Sequence, residues 1–154
     1  MGCSMYLERK NILERSDEKV ILEFIELIQS RNINYEFENS TTLYIWKDKR
    51  KNGLRVYLSS AQEDNYPEPF GVYFREISFD AIYSDDECTN SDLLLEVADV
   101  YMQKYPDTLL FGECSPYLYY DKTDIDIVLK KPFYKEWYFQ TISHSSPFFD
   151  EVVK

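Results

Sequence analysis

The chain has 154 residues, 44% of them apolar or aromatic and four of them glycine, with a formal net charge of −11. That size and hydrophobic content suit a single folded domain over residues 1–154 and exclude a disordered or low-complexity chain. The excess of acid argues against partners that present phosphate, so neither nucleic acid nor an anionic membrane surface is expected.

The N-terminal run MGCSMYLERK has no apolar leader core, and Tyr6 stands where a myristoylation signal wants Ser or Thr. Cys3, Cys88 and Cys114 are an odd set without close spacing, which reads as free thiols in a reducing cytoplasm. Helical spacing of Val20, Ile21, Phe24, Ile25, Leu27 and Ile28 predicts a first helix over Asp17–Arg31, capped by Ser16 and stopped at Asn32. Glu23 and Glu26 interrupt this apolar run, so no membrane span is expected.

After Asn32 the period changes. Tyr35 and Phe37 alternate with Glu36 and Glu38, and Asn39-Ser40-Thr41 turns the chain into Leu43–Trp46, a hairpin pattern. Asn52-Gly53 then leads to a half-buried strand marked by Leu54, Val56 and Leu58. A longer strand from Phe70 to about Tyr83 switches parity, which a bulge near Arg75-Glu76 reconciles.

Leu93, Leu94, Val97, Ala98, Tyr101 and Met102 form the stripe of a second helix over Asn90–Tyr105, with Thr89 and Asp92 at capping-box spacing. Thr108–Phe111 reads as a short strand. Thr123 and Asp126 repeat the box ahead of a third helix over Thr123–Lys131. The order implies an α+β fold: one antiparallel sheet of about four to six strands with about three helices packed on it.

Sequence chemistry for catalysis is sparse. His144 is the single histidine, no CxxC pair exists, and Gly2, Gly53, Gly71 and Gly112 are too scattered to cradle a phosphate. The expectation is no enzyme, no cofactor and no metal. Asp121, Asp124 and Asp126 could hold a hard cation, but they also suit the start of a helix dipole.

Binding is the better-supported class. From Val56 to Leu129 there are three basic residues against sixteen acidic, a balance of −13, while Met1–Lys51 balances to zero. Tyr117, Tyr119, Tyr120 and Asp121 stand together after Pro116. Tyrosine brings large contact area with few rotors, and carboxylates beside it favour lysine and arginine. The expected partner site is therefore Tyr117, Tyr119, Tyr120 and Asp121, with Asp85, Asp86 and Glu87 steering a basic protein.

In this acidic α+β chain, the Tyr119-Tyr120-Asp121 segment resembles the tyrosine pair of bacterial immunity proteins that neutralise nuclease toxins of colicin, contact-dependent or other polymorphic systems. The resemblance implies an inhibitor of a cognate toxin. The colicin immunity proteins themselves are smaller and all-helical, whereas this chain reads as strand-rich. The competing expectations are a phage-type nucleic-acid mimic, a small enzyme using carboxylate and tyrosine, and a structural module.

Overall fold

A computed structural model describes residues 3–66, 68, 70–82, 90–112 and 118–130. It contains β1 (Cys3–Arg9), α1 (Asp17–Gln29), β2 (Asn34–Phe37), β3 (Thr42–Trp46), β4 (Leu54–Tyr66), β5 (Gly71–Ile82), α2 (Ser91–Lys104), β6 (Leu109–Gly112), β7 (Leu118–Tyr120) and α3 (Lys122–Leu129). All seven strands belong to one antiparallel sheet in the order β2-β3-β4-β5-β1-β6-β7. The α+β class stands as expected, with three helices among the described residues; with β1 and β7 the described sheet has seven strands, against the about four to six expected.

Period 2 sorts the residues between two faces. One row runs Leu58, Ile77, Leu7, Leu110, Tyr120 across five strands, and all five belong to the main core. The core-facing residues of all three helices, among them Val20, Phe24, Ile28, Leu94, Val97, Ile125 and Val128, pack into that same cluster. The next row, Tyr57, Ser78, Tyr6, Phe111, Tyr119, therefore points to the opposite face. There a second, aromatic cluster forms around Phe70, Tyr73 and Phe111.

Ser16 caps α1 by accepting from the backbone N–H of Lys19 at 3.4 Å. Asn32 ends the turn beyond it with φ of 59°, a left-handed conformation that asparagine tolerates. The bulge is where the parity switch put it: Leu7 opposes Ile77 and Glu8 opposes Arg75, which leaves Glu76 without a residue across from it in β1. On the other side β4 loses register between Leu58 and Gln62. Residues 62–66 and 71–75 thus form an arm beyond the bulge.

One local reading is corrected. The capping box of α3 is Asp121 with Asp124, each side chain accepting from the other's backbone N–H at 2.9 Å. It sits two residues before the Thr123–Asp126 pair, which has the same spacing inside the helix. Asn90 precedes α2 as its N-cap, and its side chain makes no capping bond; the other expected capping residue, Thr89, lies outside the described residues. Cys88, Cys114 and His144 also lie outside them.

Candidate functional site

Of the seven residues expected to receive a partner, Tyr117, Asp85, Asp86 and Glu87 lie outside the described residues. The other three separate. Tyr119 and Tyr120 are consecutive residues of β7, so they point to opposite faces of the sheet. Tyr120 is 2% exposed and belongs to the main core beside Leu110, and burial with the nearby Asp124 charge pushes its hydroxyl pKa up. It is not a surface anchor, because a strand cannot present two adjacent side chains on one face. Asp121 spends one oxygen capping α3.

Tyr119 instead joins the aromatic cluster, half-buried at the sheet edge. Phe70 meets its ring edge-on at 5.2 Å and meets Phe111 at 5.3 Å. Tyr66 stacks on Phe111 with centroids 4.7 Å apart and planes 10° apart. Tyr73 completes the group, 6.0 Å from Phe111. These partners were not legible beside Tyr119: they lie on three other segments, and only the register across β1 and β6 unites them. In the arm it is Tyr73 that is buried, while Val72 is exposed.

Charge surrounds this cluster. Burial raises the Tyr119 hydroxyl pKa, and Asp121 and Asp124 add to it. Tyr73 is likewise raised by burial, then by Tyr119, Asp107 and Glu8. Lys10 places its ammonium 5.4 Å over the Tyr73 ring, and the Arg75 guanidinium lies 4.6 Å over Tyr6. The patch thus already receives cations from within the chain. Beneath it Tyr66 donates its hydroxyl proton to Glu8 Oε2. The Glu8 carboxyl is raised to about 8, chiefly by burial and also by Asp64, against the pull of the Tyr66 bond.

The helix-covered face holds a different constellation. Arg15 donates to both oxygens of Glu23, at 3.0 and 2.9 Å, and to both oxygens of Glu76, at 2.8 and 2.7 Å. Lys104 Nζ at 3.0 Å and the Tyr105 hydroxyl at 2.6 Å also reach Glu23. Burial alone would raise Glu23, but Arg15, Tyr105 and Lys104 outweigh it and hold the carboxyl at about 2. This network joins α1, α2 and the β5 bulge; it is a tie between elements.

Neither a protein-family model, nor a curated protein, nor a solved structure matches this chain.

Among the described residues no group of three His, Cys, Asp or Glu side chains could hold a metal ion, and no helix is long and apolar enough to cross a membrane. A shallow hollow of about 420 Å³ beside β2 is lined by Gln29, Asn32, Ile33, Asn34, Tyr35 and Trp46 and brings together no carboxylate or basic side chain. Of the surfaces described, the acid-rimmed aromatic patch has the most recognition chemistry.

Proposed function

We propose that this chain is an acidic binding protein that neutralises a basic protein partner, as a cytoplasmic immunity protein neutralises the nuclease domain of a bacterial toxin. One observation carries the reading. Arg75, Lys104 and Lys122 are the three basic residues between Val56 and Leu129, and each is held by an acid: Arg75 by Asp64 at 3.6 Å, Lys104 by Glu23 at 3.0 Å and Lys122 by Asp126 at 3.0 Å. The cations of this stretch are consumed within the fold, so the excess acid sets its outward field. Such a field speeds encounter with a basic protein and repels nucleic acid.

The aromatic patch supplies the anchor. Tyr119 would lie at the centre of the contact, with Asp107 and Asp121 on the rim and Asp85, Asp86 and Glu87 steering the approach. A nucleic-acid mimic is less well supported, because Arg50 and Arg55 pair with Glu36 and Glu38 at the other end of the sheet and break an even spread of carboxylate.

The test begins with a partner captured from host lysate on immobilised protein and eluted by salt, followed by surface plasmon resonance. Tyr119→Ala should raise the dissociation rate about 30-fold, equivalent to roughly 2 kcal/mol for a central anchor. Asp107→Asn with Asp85→Asn and Asp86→Asn should slow association and flatten its salt dependence. Unchanged kinetics in every variant would contradict the proposed surface, and a captured partner without excess basic charge would contradict the class.

A further inference from the structure

Glu8 sits in the middle of the sheet, opposite Arg75 of β5 on one side and Leu109 of β6 on the other. Leu7 is in the main core and the Arg9 guanidinium lies 3.6 Å over Tyr105 of the helix layer, so Glu8 between them turns to the second face. There it is 0% exposed. Its Oε2 accepts from Tyr66, but its Oε1 is buried and meets no hydrogen-bond donor. The same is true of Oδ2 of Asp64 on the arm. Arg75 Nε stands 3.6 Å from that Asp64 oxygen, close enough for an ion pair and too far for a hydrogen bond. Its Nη2 donates to Gln62 at 3.2 Å.

Two buried acceptors without a donor are unfavourable. A proton placed on one carboxyl makes it the donor that the other lacks. We propose that Glu8 and Asp64 share one proton, carried on Glu8 Oε1 and donated to Asp64 Oδ2, and that this proton latches the arm of residues 62–66 and 71–75 onto the second face.

The surroundings favour the protonated carboxyl. Burial is the largest influence on Glu8, and the hydrogen-bonding contact and charge of Asp64 act in the same direction. Tyr66 and the Arg75 cation oppose it. The other polar and charged groups nearest to it on this face are Tyr6 from β1, Lys10 just beyond the end of β1, Gln62 from β4, Tyr73 from β5, Tyr119 from β7 and Asp107 from the turn before β6, with Ser78 and Tyr57 farther along the same row. Leu109 and Phe111 of β6 add apolar cover. The position matters mechanically, because β1 meets the arm at Glu8 opposite Arg75 and Arg9 opposite Phe74, beyond the register break in β4. Loss of the proton sets two carboxylates against each other where the arm joins the central strand.

The folded chain holds this proton more tightly than the unfolded chain does. The stability it contributes is fully present below about pH 4.5 and is lost as pH rises through about 8.

The experiment is urea unfolding from pH 5 to 9 on the full chain, comparing the natural sequence with Glu8→Gln and Asp64→Asn. In Glu8→Gln the amide donates to Asp64 at any pH; in Asp64→Asn the amide donates to ionised Glu8. Relative to Glu8→Gln, the unfolding constant of the natural chain should rise roughly tenfold per pH unit between about 5 and 8. Asp64→Asn should lose most of that slope. Hydrogen-exchange protection in residues 62–66 and 71–75 should fall above pH 8 in the natural chain alone. Parallel slopes in the natural chain and Glu8→Gln would overturn the proposal. So would an alkaline loss that millimolar calcium or magnesium abolishes, since the pair would then be a cation site. If Glu8→Gln fails to fold, a natural chain with no alkaline loss, or an Asp64→Asn chain with the same loss, overturns it equally.

Discussion

The two faces of the sheet each draw a glutamate wholly or partly out of solvent, and they treat it in opposite ways. On the helix-covered face Glu23 meets the Arg15 guanidinium, the Lys104 ammonium and the Tyr105 hydroxyl, and it is held ionised at about 2. On the aromatic face Glu8 meets one hydroxyl and a second carboxyl, and it is held protonated to about 8. Burial acts on both in the same direction; what differs is the charge of the group that satisfies them. One face is thus closed by fixed ion pairs that tie α1, α2 and the bulge together. The other is closed by rings and a proton, and it is the face on which we propose that a partner binds.

The strongest way to break this comparison is to remove Arg15. The Glu76 side chain is 0% exposed and Glu23 is 14% exposed, so Arg15→Ala leaves one buried and one part-buried anion short of their main cation. The expected loss is about 3–5 kcal/mol in urea unfolding at pH 7. A loss below about 1 kcal/mol would show that the network is a surface ornament. Next in size is the pair of tyrosines in β7. Tyr120→Ala empties a core position and should cost about 3–4 kcal/mol, whereas Tyr119→Ala, half-buried on the aromatic face, should cost about 1 kcal/mol. Equal losses would mean that the two faces are equally structural and that Tyr119 is not spare for a partner.

Much of the fold was legible because local rules and the global packing agree. The α1 stripe, the β2–β3 hairpin and the parity break at Arg75-Glu76 each write their structure into adjacent residues. β1 was not legible: Glu8 and Arg9 look like surface residues, yet they are 0% and 5% exposed. Their partners Tyr66 and Tyr101 stand 58 and 92 positions away. The α3 capping box was misread because Asp121–Asp124 and Thr123–Asp126 share one spacing, and only the backbone at Asp121 decides between them. For the candidate site, the cluster of tyrosines in sequence gave Tyr119 but could not give its face. A three-residue strand is too short to announce its period, and that period is what sends Tyr120 into the core. Arg15, Glu23 and Glu76 are joined across separations of 8 and 61 residues, which no local pattern encodes.

The most direct test of the two-face account is a carbon-13 NMR titration of the glutamate side-chain carboxyl carbons of the natural chain from pH 2 to 9. Glu8 should titrate near 8 and Glu23 near 2 in the same sample. Midpoints for both between about 4 and 5, the ordinary range for an exposed glutamate, would contradict it.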